Sequence, residues 1–145
     1  MTPLPTGGSR VYVSFDVDHD GELYERLIAQ SDCSGFSVSG SSERLSAAET
    51  WQGRVRNRIR DAEQVIVICG EYTGDSRCMS EELRIAHEER TPYFLLWGRR
   101  ETMCTKPSGA KSADGIYSWT KEILEDQIAI GVRRARALAN ALRKP

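Results

Sequence analysis

The sequence predicts an α/β domain in which helices cover both faces of a parallel sheet. Short apolar segments rich in β-branched and aromatic residues alternate with longer segments whose apolar residues recur every three or four positions. The strongest short segment, 64–69 (QVIVIC), is continuously apolar rather than alternating, which is typical of a central strand buried on both faces. Strands that alternate with helices favour parallel pairing through right-handed crossovers. A length of 145 residues suits one such domain.

Four further strands complete the predicted sheet. The first, 11–15 (VYVSF), is short, β-branched and aromatic, and a polar stretch follows it. The second, 36–38, precedes a Ser- and Gly-rich segment, 39–42, that is interpreted as a flexible loop by composition. The fourth, 92–97 (PYFLLW), is again a continuous apolar run, and a short edge strand is predicted near 115–117.

The helices are predicted from apolar stripes at helical spacing. The stripes are Leu23, Leu27 and Ile28, then Trp51, Val55, Ile59 and Ala62, then Met79, Leu83 and Ala86, and finally Leu124, Ile128, Ala135, Leu138 and Leu142. The last stripe belongs to a long helix that runs from about 119 to 143. We expect the flavodoxin-like three-layer arrangement with strand order 2-1-3-4-5, with residues 1–9 as a flexible tail and 10–145 as a single domain.

Composition excludes several classes of protein. The formal net charge of −1 provides no global field for nucleic acid or a membrane surface, and no apolar run approaches the length of a membrane span. The first residues lack the apolar core of a signal peptide, so a cytoplasmic location is expected. No metal site or disulfide is expected, because the cysteines form no C-x-x-C pair and the two histidines lie far apart. Alternate arginines along the second helix are interpreted as a solvated face rather than a nucleic-acid patch: Arg54, Arg56, Arg58 and Arg60.

A ligand of such a sheet is expected beyond the carboxyl ends of the first and third strands, where the strand order reverses. The chain delivers 15–20 and 69–72 to that point, and the helix that starts near Cys78 joins the same rim. A phospho-receiver would need an aspartate at the end of the third strand, where this chain has Cys69 and Gly70. A flavin phosphate would meet an acidic loop instead of a glycine- and hydroxyl-rich one. Neither chemistry is favoured.

Three segments resemble those of a known family. The first strand ends in Ser14-Phe15 and an acidic loop, and Gly70, Thr73 and Ser76 continue the pattern after the third strand. The segment 76–86 (SRCMSEELRIA) resembles a Ser-x-Trp-Cys-x-x-Glu-Leu-x-x-Ala box. Together with Trp119, and over about residues 10 to 130, the chain resembles the TIR-like domains of the bacterial Thoeris anti-phage family (ThsB-like). It departs from the box at Cys78 and Met79, where the family has an aromatic residue and a cysteine.

The resemblance implies an enzyme that releases nicotinamide from NAD, with NAD as the substrate and with no bound cofactor. By the register of the box, Glu82 is the catalytic carboxylate, which would bridge the ribose hydroxyls and stabilise an oxocarbenium-like transition state. Substrate-binding roles are expected for Phe15, Asp16, Asp18, Gly70 and Ser76. Capture of the oxocarbenium-like species by water would give ADP-ribose, and capture by a group of the same molecule would give a cyclic isomer. The resemblance implies that this product acts as a signal on a separate effector protein.

Two alternatives stay open at this stage. The chain could be a non-catalytic TIR-like interaction module, which the Cys78-Met79 departure favours, and Glu82 could be no more than an acid favoured by the helix dipole. Self-assembly is expected because the apolar stripe of the last helix continues to Leu138 and Leu142, beyond the span that one small domain needs. The alternative is that the last helix packs wholly on its own sheet. His19 is interpreted as a surface residue rather than a base.

Overall fold

A five-stranded parallel sheet organises the chain, in a computed structural model that describes residues 9–44 and 49–143. Its strand order is β2-β1-β3-β4-β5, so the predicted order and fold class are confirmed. The strands are β1 Ser9–Ser14, β2 Phe36–Ser41, β3 Gln64–Cys69, β4 Tyr93–Trp97 and β5 Ile116–Tyr117. The helices are α1 Gly21–Ser34, α2 Glu49–Asp61, α3 Arg77–Glu88 and α4 Lys121–Arg143, with a short 3-10 turn at Thr73–Asp75. The expected flexible tail lies almost wholly outside the described residues.

Strand β1 lies inside the sheet and separates two apolar layers. It pairs in parallel with β2 on one side and with β3 on the other. Because successive side chains of a strand point to opposite faces, Val11, Val13 and Phe15 pack toward α1 and α4, while Tyr12 faces α2 and α3. The two apolar layers contain most of the stripe residues predicted for α1, α2 and α3.

Strand β2 is longer than the sequence predicts. Pairing with β1 continues through Gly40 and Ser41, after a register irregularity between Val11 and Tyr12. The composition of this segment predicted a loop because Ser and Gly have low strand propensity, but an edge strand needs backbone hydrogen bonds on one side only. Gly40 also allows a close approach, since a Cβ there would lie 3.1 Å from the Tyr12 ring. The extra strand residues carry the chain to Ser42 at the carboxyl edge of the sheet.

The arginines of α2 bind glutamates. Arg54 and Arg58 contact the carboxylate of Glu43 at 2.6 and 3.1 Å. Arg56 and Arg60 reach the carboxylates at the end of α3, Glu88 and Glu89. The predicted solvated face is therefore a surface network of ion pairs that joins α2 to α3 and to the turn after β2. Exposed pairs of this kind contribute little each, about 0 to 1 kcal/mol.

Helix α4 begins after Thr120, whose hydroxyl accepts a hydrogen bond from the amide of Ile123 at 3.1 Å. Its first half packs on the sheet through Leu124 and Ile128, which are buried. From residue 133 to residue 142 none of its side chains is buried, and Leu142 is 71% exposed. Residues 133–142 of α4 therefore add no buried side chain to the core. Among the described residues, no helix is both long and apolar enough to cross a bilayer.

Candidate functional site

Glu82 lies on the face of α3 that packs against the sheet, and it is fully buried. Ser76 fixes the start of α3, because its hydroxyl accepts a hydrogen bond from the amide of Met79 at 3.1 Å. That start places Glu82 one and a half turns into the helix, against the carboxyl half of β1. A buried carboxyl group needs hydrogen-bond partners, and it finds them on β1 and β2.

Three hydroxyl groups hold the carboxyl of Glu82. The Tyr12 hydroxyl donates to Oε2, and the Ser14 hydroxyl donates to Oε1 at 2.8 Å. The Ser42 hydroxyl lies 2.7 Å from Oε1 and 2.8 Å from Oε2, and it accepts a hydrogen bond from the amide of Phe15 at 2.9 Å. We call these four side chains, Tyr12, Ser14, Ser42 and Glu82, the Glu82 cluster.

Burial raises the pKa of Glu82 to about 7, and the hydrogen bonds from the three hydroxyls partly oppose that rise. The same surroundings raise the pKa of the Tyr12 hydroxyl, mainly through burial and then through the charge of Glu82. The pKa of the Cys78 thiol, one turn before Glu82, is raised for the same two reasons. Near neutral pH the cluster therefore offers a carboxyl that is present in both protonation states, and it accepts hydrogen bonds from hydroxyl groups.

A cleft of about 430 Å³ lies beyond the carboxyl ends of β1 and β3, and none of the four cluster residues lines it. We call it the switch-point cleft. It is large enough for part of a dinucleotide, since small-molecule sites typically enclose about 300 to 1,000 Å³. Its lining mixes three carboxylates with two guanidinium groups: Asp16, Asp18, Asp75, Arg44 and Arg77. Cys78 also lines the cleft, and its thiol neighbours the carboxyl of Glu82, so it lies between the cleft and the Glu82 cluster.

An Asp–His pair occupies the rim of the cleft. Asp16 is buried, and its Oδ2 lies 2.7 Å from Nδ1 of His19. The His19 ring packs on the Tyr72 ring with centroids 4.3 Å apart. The hydrogen bond with Asp16 raises the pKa of His19 above its ordinary value. His19 is half-exposed, as its interpretation as a surface residue requires, but its ring is also part of the cleft wall.

Gly70 has a packing role beside the buried carboxylate of Asp20. A Cβ on Gly70 would lie 2.1 Å from Oδ2 of Asp20, so no other residue type fits without movement. Oδ1 of Asp20 accepts hydrogen bonds from the guanidinium of Arg99 at 3.0 and 3.2 Å. Burial raises the pKa of Asp20, and Arg99 opposes that rise. Gly70 thus supports the loop after β1 and does not line the cleft itself.

The structure brings together some of the expected site residues and separates others. Asp16, Asp18 and Ser76 line the switch-point cleft, whereas Glu82 is fully buried next to Cys78 of its lining. The expected placement of Phe15 is corrected, because its ring stacks on Tyr24 at 4.7 Å in the opposite apolar layer. The physical reason is strand alternation, which sends Phe15 to the face that Tyr12 and Ser14 do not share.

The sequence reasoning missed five contributors to the site: Tyr12, Ser14, Ser42, Arg44 and Arg77. Two hydroxyl side chains two positions apart on a strand share one face, so the sequence contained a signal for Tyr12 and Ser14. The sequence contained no such signal for Ser42, because its hydrogen bond to Glu82 depends on the path of the chain after β2.

Comparison with known proteins places these residues in context. The family model described as "Thoeris protein ThsB, TIR-like domain" matches residues 12–100, which run from the second half of β1 past the end of β4 and include the whole Glu82 cluster. The crystal structure of a prokaryotic SEFIR domain is similar with a TM-score of 0.50 and 17% sequence identity, over 88% of this chain and 92% of that chain. At that identity the likeness concerns the fold alone. No curated protein matches the sequence.

Proposed function

This chain belongs to the TIR-like domain family of Thoeris protein ThsB, and from that membership we propose that it cleaves nicotinamide from NAD and produces an ADP-ribose-type signal in anti-phage defence. The observation that carries the proposal is the carboxyl of Glu82, held by hydroxyl groups beside a cleft of nucleotide size. The signal would act on a separate effector protein, and NAD would be the substrate rather than a resident cofactor.

The proposed reaction breaks the bond between the nicotinamide nitrogen and C1 of the ribose. The bonding electrons leave with nicotinamide, which neutralises its pyridinium charge, and positive charge develops on the ribose as an oxocarbenium-like species. A carboxylate that accepts hydrogen bonds from the ribose hydroxyls stabilises that charge. Capture of C1 by water gives ADP-ribose, and capture by a group of the same molecule gives a cyclic isomer. Exclusion of water from the closed site decides between the two outcomes.

Glu82 already binds the kind of group that a ribose would present. The Ser42 hydroxyl reaches both of its carboxylate oxygens, as one hydroxyl of a bound ribose would. Replacing Ser42 by a ribose hydroxyl would therefore leave the number of hydrogen bonds to Glu82 unchanged, so the exchange does not leave a buried charge unpaired. The proposal requires Ser42 and Cys78 to move aside when substrate enters.

Two guanidinium groups partly offset the three carboxylates of the cleft and are suited to the phosphates of NAD. Arg44 pairs with Asp18 at 2.7 Å, and Arg77 forms no ion pair within residues 9–44 and 49–143. A guanidinium group binds phosphate oxygens in a bidentate manner. We assign Arg77 to the pyrophosphate of NAD, with Arg44 available after release from Asp18.

The test compares two neighbouring glutamates in an assay of nicotinamide release from NAD, read by chromatography so that linear and cyclic products are separated. Glu82→Gln should lower the rate about a hundredfold or more, because it removes the negative charge that stabilises the transition state. Glu81→Gln is the matched control, since Glu81 is half-buried and pairs with Arg84 on the surface. Its rate should stay within about threefold of the wild type.

The same variants should be compared in cells during phage infection, so that an activity that needs an infection cue is also detected. Loss of NAD consumption in Glu81→Gln but not in Glu82→Gln would contradict the assignment. So would a wild-type chain that releases no nicotinamide in either setting.

A second candidate function is a non-catalytic TIR-like interaction module. One observation favours it: both carboxylate oxygens of Glu82 are occupied and the side chain is fully buried, as for a purely structural group. For such a module, Glu82→Gln would change the free energy of unfolding, and neither the wild type nor the variant would cleave NAD. The nicotinamide assay separates the two candidates.

A further inference from the structure

A second cavity lies at the amino edge of the sheet, opposite the switch-point cleft. Its volume is about 390 Å³, and it is bounded by the end of α3, the start of β4, the loop before β5 and the middle of α4. Three cationic side chains face it, Arg90, Lys111 and Arg134, and one carboxylate, Asp114. We call it the amino-edge cavity. It shares no lining residue with the switch-point cleft.

None of the three cations forms an ion pair within the part of the chain that the structure describes. Most other arginines there do have a carboxylate partner: Arg44, Arg54, Arg56, Arg58, Arg60, Arg84, Arg99 and Arg136. A helix dipole accounts for Arg90, which follows the end of α3. It does not account for Lys111, which is in a loop, or for Arg134, which is in the middle of α4. Three elements thus direct unpaired positive charge to one place.

Asp114 neutralises only part of this charge. Its Oδ2 accepts hydrogen bonds from the Tyr93 hydroxyl and from the amide of Lys111, the latter at 2.9 Å. The carboxylate thereby fixes the loop and the start of β4. Burial raises the pKa of Tyr93, and the hydrogen bond to Asp114 and the charge of that carboxylate raise it further. With one carboxylate against three cations, the cavity keeps a net positive charge and favours an anion.

The end of α3 fixes the position of Arg90. This residue has a φ of 57°, the left-handed conformation in which helices commonly end, and the amide of Thr91 donates a hydrogen bond to the carbonyl of Ala86 at 2.9 Å there. Glycine adopts this φ freely, so an arginine costs the backbone more than a glycine would.

We propose that the amino-edge cavity binds the di- or triphosphate group of a molecule of nucleotide size. Charge selects the phosphates, through Arg90, Lys111 and Arg134. The volume suits a mononucleotide, and the rings of His87 and Tyr93, with centroids 5.1 Å apart, offer apolar contact beside the charged groups. The proposal does not depend on NAD cleavage, and its ligand would sit at the other end of the sheet from Glu82.

Calorimetric titration of the full chain with pyrophosphate and with ATP, at low ionic strength and without metal, tests the proposal. Arg134→Gln should weaken binding of both probes about tenfold, because it removes a charge-assisted hydrogen bond. Arg133→Gln is the matched control, since Arg133 is the exposed neighbour on α4 that does not line the cavity. It should weaken binding less than about twofold, in line with a screened surface charge.

Two further variants keep the test independent of folding and of the switch-point cleft. Arg90→Gly should weaken binding at least about threefold without lowering the melting temperature, because glycine relieves the strain at this φ. Because Arg77 is assigned to a pyrophosphate in the switch-point cleft, Arg134→Gln is also compared in an Arg77→Gln background, where it should still weaken pyrophosphate binding about tenfold. The proposal is overturned if pyrophosphate fails to bind, if Arg133→Gln and Arg134→Gln weaken binding equally, if Arg90→Gly binds as tightly as the wild type, or if Arg77→Gln alone abolishes binding.

Discussion

Replacing Glu82 by glutamine should remove a pH dependence of stability that this one side chain creates. The folded state raises the pKa of Glu82 from an ordinary 4.5 to about 7. Between these two values the folded chain holds a proton at Glu82 that the unfolded chain has lost. The free energy of unfolding therefore falls as the pH rises, in contrast to the usual behaviour of a carboxylate in a salt bridge. The stabilising contribution is complete below pH 4.5 and is lost as the pH passes 7.

The size of the effect follows from the difference between the two pKa values. The rise from 4.5 to about 7 corresponds to about 3 kcal/mol over the whole range, and most of it develops between pH 5 and pH 8. Other groups titrate in the same range, His19 among them. The quantity to follow is therefore the difference in unfolding free energy between the wild type and Glu82→Gln, in which those groups cancel.

Urea denaturation at pH 5, 6, 7 and 8 measures this difference. The advantage of the wild type over Glu82→Gln should shrink by about 2 to 3 kcal/mol from pH 5 to pH 8. Glu81→Gln, measured in parallel, should show a change of less than about 0.5 kcal/mol, because Glu81 pairs with Arg84 at the surface. A Glu82 difference that stays constant to within about 0.5 kcal/mol, or that grows with pH, would refute the argument from burial.

Two further predictions concern α4. Gly131→Ala should lower the free energy of unfolding by about 1 to 3 kcal/mol in urea denaturation, because the new methyl group would lie 2.2 Å from Oε1 of Gln64. The control is Gly53→Ala in α2, which has open space around it and should instead stabilise the chain by about 0.5 to 1 kcal/mol. Equal effects of the two substitutions would contradict the packing of Gly131. A chain that ends at Gly131 should sediment as a species with fewer copies than the full chain, because self-assembly would bury Leu138 and Leu142. A full chain that stays strictly monomeric at high micromolar concentration with NAD would contradict this prediction.

The layout of the sheet could be predicted from the sequence because it depends on local patterns. The continuous apolar run of β3 marks a strand covered on both faces, and the alternation of strands with helices leaves few topologies. The end of β2 could not be predicted in the same way. Its Ser and Gly residues join the sheet because β1 offers unpaired backbone groups, which no local pattern reports.

The candidate site could be predicted only where chain order alone decides position. Asp16 and Asp18 follow β1 and so must lie at its carboxyl edge, and the register of α3 directs Glu82 inward. The side of the sheet that each residue faces needs the strand alternation as well. Counted from Tyr12 and Ser14, that alternation assigns Phe15 to the opposite layer, so this placement was available from the sequence and was missed. The contact of Ser42 with Glu82 was not available, because it depends on tertiary structure.

The separation of the Glu82 cluster along the chain has a consequence for biosynthesis. Tyr12 and Glu82 are 70 positions apart, and the two serines also precede Glu82. At a translation rate of about 5 to 20 residues per second, a ribosome needs roughly 4 to 14 s to add Glu82 after Tyr12. Throughout that interval β1 can pair with β2 and then with β3, but the layer that α3 covers stays open to water. The nascent chain therefore exposes an apolar sheet face until α3 leaves the exit tunnel, and during those seconds it is a candidate client for a ribosome-associated chaperone.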